Sequence, residues 1–225
     1  MKDVPTQLLP SLEIWAVLER GPHADVMVGN DIHSDIIATG SIRRKAQWLH
    51  RHPHHQIVGL RGNVETRLAH VANNPWRGGL FAAAGLDRLQ LRDEVREVVE
   101  LDWMVAAPAQ GAIVIIGRQG NEKMKELVSS MNHPPSRLAT SIERAFLFAL
   151  EGGCSAPIGA YAEVVGRKVQ FTGCLHALDG SKEIRIERTE KQGHAELGSQ
   201  WAQELLKMGG SAIIETIKAS QDESD

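Results

Sequence analysis

Cysteine is scarce in this chain: among 225 residues there are two, Cys154 and Cys174. Two thiols in different local contexts are too few for a disulfide framework and suit a reducing compartment. Long apolar runs are missing as well. No stretch approaches the roughly eighteen apolar residues that a membrane span needs, and Met1 to Pro5 lacks the apolar core of a signal peptide. A cytoplasmic address with no membrane partner is the expectation. Aromatic residues make up only 4% of the chain, and the formal net charge is −3. There is thus no global basic field for non-specific nucleic-acid binding and no aromatic interleaving of the arginines, so no nucleic-acid partner is expected. What is present, 42% hydrophobic and 24% charged residues without repeats or low-complexity tracts, is the composition of a globular protein.

Local signals divide the chain. Ser41 caps a helix carrying Ile42, Ala46 and Leu49 at helical spacing, until Pro53 stops it. A strand follows at 56–60, and Asn63 caps a second helix over 64–71. The run 79–84 reads as a buried strand, 85–89 as a turn into a brief helix and 98–105 as another strand. Alternating strands and helices imply a parallel or mixed α/β sheet. After Pro108 come a strand over 112–117 and a helix capped by Asn121 that runs to Met131. Pro134 and Pro135 mark a domain boundary. Beyond it Ser136 caps a helix to Leu150, strands follow at 158–165, 168–177 and 182–189, and two last helices hinge at Gly209 and Gly210. This part reads as a small α+β unit. In the strand 168–177, Val169, Phe171, Gly173 and Leu175 share one face, so Cys174 points to the other.

Three groups of residues invite chemistry. Residues 151–159, EGGCSAPIG, put Cys154 in a glycine-hinged loop between a helix and a strand, a place to display a thiol. A buried small hydrophobe or an ordinary loop thiol is the plainer alternative, and His133 and His176, the nearest bases in sequence, sit in no nucleophile motif. Next, Arg43, Arg44 and Lys45 open a helix whose dipole prefers acids there; a polyanion held by Ser41, free N–H groups and guanidiniums would compensate. For that segment alone a solvated basic face is the somewhat better explanation. Arg61, Arg67 and Arg88, however, follow strand ends, where ligands of open α/β sheets gather, and together suit a ligand with many carboxylates. Finally, His50, His52, His54 and His55 straddle a helix end without a thiol or carboxylate nearby in sequence; they read as a polar surface turn, and no metal is assigned. Glu143 and Arg144 read as helix-face ion pairs. Asp3, before Val4 and Pro5, lies on an extended or turn segment and says little alone.

Five ordered motifs, ATGSIRRKAQ at 38–47, LRGNVETRL at 60–68, AAGLDRL at 83–89, PAQGA at 108–112 and EGGCSAPIG at 151–159, resemble porphobilinogen deaminase, also called hydroxymethylbilane synthase. Met1 to Pro5 is similar to that family's catalytic-aspartate motif. The resemblance implies a transferase of haem and other tetrapyrrole biosynthesis. It joins four porphobilinogen molecules head to tail on a dipyrromethane cofactor, which a thioether holds to a cysteine, and releases ammonia at each addition. Carried over by motif, Cys154 holds the dipyrromethane, and Asp3 is the catalytic carboxylate. Asp3 would hydrogen-bond pyrrole N–H groups and stabilise the cationic methylene-pyrrolenine. Lys2 lies beside it. Ser41, Arg43, Arg44, Arg61, Arg67 and Arg88 neutralise the acetate and propionate groups, and Gln110 lies in a strand crossing between two domains.

The implied fold is α/β, with periplasmic-binding-protein-like lobes and a small α+β C-terminal domain. Residues 1–17 and 106–132 would belong to a truncated domain 1, 18–105 to a largely present domain 2, and 133–225 to the cofactor-attachment domain. Most of domain 1 precedes the aspartate motif in the family, so a fragment or a misplaced start is the expectation, with an exposed apolar edge on domain 1. The alternative is an inactive fragment that keeps a polycarboxylate-binding module. The expected partners are porphobilinogen and the growing polypyrrole. The complete chain would be a monomer, with association expected only through the truncated edge. Gly40 stands where the family usually has a small hydroxyl residue.

Overall fold

The computed structural model describes residues 1–29, 33–95, 97–151, 156–191 and 193–222. Short apolar strands alternate with capped helices in the first half. They build β1 (Leu12–Val17), β2 (Asp25–Gly29), β3 (Ile36–Ala38), α1 (Ile42–Arg51), β4 (Gln56–Val58), α2 (Val64–Ala72), β5 (Gly78–Ala82), α3 (Ala83–Arg88) and β6 (Glu97–Glu100). Strands β2 to β6 form one five-stranded sheet, in the order β4-β3-β5-β2-β6. It is mixed: β3 runs parallel to β4 and β5, whereas β2 runs antiparallel to β5 and β6. Successive β2 side chains serve opposite faces. Val26 and Val28 pack with Phe81 and Leu86, while Met27 packs with Ile37, Trp48 and Leu80, so helices cover both sides.

The caps read from sequence do their work. The Ser41 hydroxyl accepts from the Arg44 N–H at 3.4 Å, and the Asn63 side chain accepts from the Thr66 N–H at 2.8 Å. Three boundaries move: β4 ends at Val58, two residues short of the expected strand. Helix α3 already begins at Ala83, and β6 stops at Glu100, because the chain then turns with Met104 N–H bonded to the Leu101 carbonyl. Strands β1 to β3, before Ser41, had given no clear signal.

Next come β7 (Val114–Arg118) and α4 (Glu122–Ser129), and β7 pairs antiparallel with β1 in a separate two-stranded sheet. Leu9, Ile113, Met124 and Leu127 around it are exposed. The chain crosses between this sheet and the larger one twice, and the crossings touch: Gly21 N–H donates to the Gly111 carbonyl at 3.1 Å. A side chain at Gly111 would meet the Pro22 and Gly21 carbonyls at 2.6 and 2.7 Å, and its φ of +79° is left-handed. Only glycine fits both demands.

Helix α5 (Pro134–Glu151) starts two residues before the expected Ser136 cap, since proline is well suited to the first turn of a helix. Ser136 Oγ instead accepts the Arg20 N–H at 3.0 Å. Strands β8 (Ile158–Val165), β9 (Lys168–His176) and β10 (Glu183–Lys191) form an antiparallel sheet, followed by α6 (Glu196–Leu205) and α7 (Ser211–Asp222). Phe146, Phe171 and Trp201 interlock in its core, with the Phe171 and Trp201 rings stacked at 4.6 Å. Among the described residues no helix is long and apolar enough to cross a membrane.

Glu143 and Arg144 correct the sequence reading, because neither sits on a solvated helix face. Glu143 is fully buried, and Arg20 grips it with two N–H groups at 2.5 and 3.1 Å. The same carboxylate accepts from the amides of Ala109 at 2.6 Å and Ala162 at 2.7 Å. Burial pushes its pKa up, and Arg20 and the two amides oppose that. Arg144 reaches the other way, donating to the carbonyls of Val4, Pro5 and Thr6. Glu143→Ala should therefore lower the unfolding free energy by about 3–5 kcal/mol, because it strands a buried guanidinium. A loss of no more than about 1 kcal/mol in urea denaturation, the value of an exposed pair, would mean the carboxylate is not the tie described.

Candidate active site

Arg43 and Arg44 lie on the first turn of α1, and their side chains turn inward beneath the large sheet's edge. They are only 5% and 6% exposed. Asp25, the first residue of β2, meets them. Arg43 Nη1 donates to Asp25 Oδ2 at 2.6 Å and to the Val105 carbonyl at 2.7 Å. Arg44 Nε donates to Asp25 Oδ1 at 3.0 Å, and its Nη1 to the Leu80 carbonyl at 3.0 Å. Gln110 Nε2 adds bonds to Asp25 Oδ1 and to the His23 carbonyl at 2.9 and 2.6 Å. Burial alone would raise the Asp25 pKa, but the two guanidiniums and these hydrogen bonds outweigh it and hold the carboxyl below its ordinary range.

One carboxylate against two guanidiniums leaves positive charge over, and more is added. A cleft of about 440 Å³ is lined by Lys2, Ser41, Arg43, Arg44, Arg61, Arg67 and Gln110. Among the described residues no carboxylate lies within ion-pair distance of Lys2, Arg61, Arg67 or Arg88. The strain of like charges shows. The Arg44 pKa is lowered first by burial, and Arg43 and Arg67 push the same way against Asp25. Lys2, though its side chain is exposed, is lowered by the surrounding cleft, with Arg44 and Arg43 adding to the effect. An anion would relieve all of them.

A second cavity, of about 550 Å³, adjoins the first through Lys2, Arg44, Arg67 and Gln110, and brings in Asp3 and Arg88. Asp3 is exposed within it. Its segment is positioned from behind by Arg144, through the three carbonyls that follow. The structure thus brings Lys2, Asp3, Ser41, Arg43, Arg44, Arg61, Arg67 and Arg88 around one continuous cleft. Cys154 lies outside the described residues. Gln110 lies in the second crossing, where the backbone is a turn and not a strand, with Ala109 before it at φ +60°. At Gly40 a Cβ would stand 2.6 Å from the Leu60 carbonyl, so the absence of a side chain suits the close packing there.

Sequence reading missed Asp25 and Gln47. The Gln47 side chain brackets Val105, donating to its carbonyl at 2.9 Å and accepting from its N–H at 2.8 Å. The one available hint of Asp25 was an acid opening an otherwise apolar strand. A dipyrromethane, with several carboxylates and two pyrrole N–H groups, suits this site. Unpaired cations line it, and Gln110 Oε1 is a buried acceptor with no donor.

The family model for the porphobilinogen deaminase dipyromethane cofactor binding domain matches residues 1–126, and that for the porphobilinogen deaminase C-terminal domain matches residues 138–207. The chain belongs to the porphobilinogen deaminase family. It is 34% identical over 229 residues to the porphobilinogen deaminase of Desulforamulus reducens, covering 98% of this chain and 74% of that protein. Against that of Thermus thermophilus it is 37% identical over 227 residues, 97% of this chain and 75% of the relative. Against that of Geobacter sp. (strain M21) it is 35% identical over 221 residues, 95% and 70% of the two chains. All the cleft residues named above fall inside the porphobilinogen deaminase cofactor-binding domain, and Cys154 falls in the span of the C-terminal one.

The Asp25 cluster makes a prediction about acid. Because its pKa is depressed, its stabilisation is complete above the ordinary value of 3.8 and is lost as pH falls below it. Asp25→Asn should flatten that acid limb of the stability curve and, at neutral pH, cost about 3–5 kcal/mol by stranding Arg43 and Arg44. Denaturant midpoints of both proteins between pH 2 and 7, roughly the carboxyl range, check this; parallel curves would refute it.

Proposed function

We propose that this chain condenses porphobilinogen head to tail into hydroxymethylbilane, releasing ammonia at each addition. The observation that carries the proposal is a carboxylate, Asp3, in a cleft where Lys2, Arg61, Arg67 and Arg88 have no carboxylate within ion-pair distance among the described residues. Held through a thioether to Cys154, the dipyrromethane would supply the pyrrole carbon to which substrate is joined. Arg61, Arg67, Arg88 and Lys2 then hold acetate and propionate groups by charge-assisted bonds. Ser41 offers its hydroxyl and the start of α1 beside them. Arg43 and Arg44, pinned by Asp25, contribute a fixed positive field and do not reorganise during the reaction.

Asp3 has a different task. Its carboxylate accepts pyrrole N–H groups and offsets the positive charge that develops as ammonia departs. Arg144 keeps its backbone in place through the three carbonyls that follow.

The domain layout belongs to the same proposal. Residues 1–17 and 106–132 would form part of domain 1, 18–105 domain 2, and 133–225 the attachment domain. The three separate sheets and the two touching crossings support that division. A monomer working in the cytoplasm fits this reading.

Intact mass and an Ehrlich-type colour reaction on purified protein test it. Wild type should carry the mass of a dipyrromethane, lost in Cys154→Ala; unmodified wild type that makes no product would leave only a polycarboxylate-binding module. Asp3→Ala should keep the added mass but lose product formation by about 100-fold or more, the scale of a positioned acid–base group; ordinary turnover would refute its role. Arg67→Ala should weaken porphobilinogen binding by about 10- to 100-fold, the worth of a charged hydrogen bond of roughly 1.5–3 kcal/mol, as equilibrium binding would show.

A further inference from the structure

Cys174, the second thiol, has no part in the proposed chemistry, yet it is packed into a polar cluster. Cys174 and His176 are two residues apart on β9, so they share a face, and Glu183 on β10 is the direct cross-strand partner of His176. A ligand atom from each of the three lies within 4.8 Å of the others. His176 is 1% exposed; its Nε2 is 3.3 Å from Glu183 Oε1, while its Nδ1 is buried with no hydrogen-bond partner. A buried imidazole nitrogen left unpaired costs about 1–3 kcal/mol and calls for an explanation.

A fourth group comes from across the fold. His50, near the end of α1, directs Nε2 to 3.7 Å from Glu183 Oε2. Its Nδ1 stands 2.8 Å from the Gly180 carbonyl, an acceptor only, so Nδ1 carries a proton and Nε2 is the nitrogen that can take a metal. Histidines that bind metal are held in this way, by a backbone carbonyl on the far nitrogen.

We propose that Cys174, His176, Glu183 and His50 form a site for a soft divalent cation, zinc being the best fit, that clamps α1 to the C-terminal sheet. Thiolate and imidazole donors select zinc over magnesium or calcium, and four protein ligands with no open position make a structural site, not a catalytic one. The charges balance: a thiolate and a carboxylate neutralise the ion, and both imidazoles stay neutral. Without metal the thiol is protonated, since burial, with Glu183 adding, pushes its pKa up to about 12. Coordination forms the S–metal bond and sends that proton to solvent. Donor atoms must close to about 2.0–2.3 Å from the ion. Entry is from the His50 side, where the His50 and Glu183 side chains are 40% and 23% exposed. The histidines near Pro53 had looked isolated in sequence; folding gives His50 the thiol and carboxylate it lacked.

The site is independent of the porphobilinogen reading and is tested apart from it. Cobalt(II) chloride is titrated into the reduced, tag-free full chain, and zinc chloride then displaces it. The expected result is one ion per chain, a thiolate-to-cobalt charge-transfer band, and a zinc-dependent rise in Tm. The band should persist in Cys154→Ser and vanish in Cys174→Ser. Should Cys174→Ser fail to fold, His50→Ala and Glu183→Gln decide, each expected to weaken zinc at least tenfold. A cobalt spectrum without the thiolate band, a band retained in Cys174→Ser, or unchanged zinc affinity in both other variants overturns the proposal.

Discussion

Taking a carboxylate out of water costs several kcal/mol unless cations and N–H groups surround it, and this molecule does so at Asp25 and again at Glu143. Each buried acid gathers distant parts of the chain. Glu143 on α5 collects Arg20 from one crossing segment, the Ala109 amide from the other and the Ala162 amide from β8. Asp25 collects α1 through its two arginines and the second crossing through Gln110. The sheets meet where those two acids are satisfied.

The cleft is a consequence of that arrangement. Pinning Arg43 and Arg44 on Asp25 fixes two guanidiniums at its wall, and Arg61, Arg67, Arg88 and Lys2 stand around them without acids of their own. A rigid field of this kind prefers anions before any arrives. Asp3 lies within it, and Arg144 secures its segment from the helix that also carries Glu143. Neighbouring residues on one helix thus hold the crossing between the sheets and the segment that carries Asp3. In a porphobilinogen deaminase, where a chain of carboxylate-bearing pyrroles must be housed, such a link joins the cleft wall to Asp3, the carboxylate proposed to act there.

Much of this was legible in the sequence, and for local reasons. Ser41 and Asn63 announced their helices because a capping side chain acts within three residues. The strands of the C-terminal sheet followed from period-two alternation, and the helix break at Gly209 from a φ of +112° that glycine tolerates. The five motifs identified the family and, with it, the cofactor. Strands β1 to β3 went unread because apolar runs of three to six residues do not by themselves separate strand from buried helix.

The sequence by itself determined the helices, the alternating strands, the surplus of arginine around 43–88 and the family. Only the tertiary structure decided which of those arginines face an acid of the protein and which stand free, that Glu143 is a core tie and not a surface pair, and that His50 reaches Glu183. The physical reason is the same in each case. Caps and periodicity act over a few residues, whereas Asp25 meets Gln110 and Arg20 meets Glu143 across 85 and 123 positions, so their pairing exists only once the chain has crossed itself.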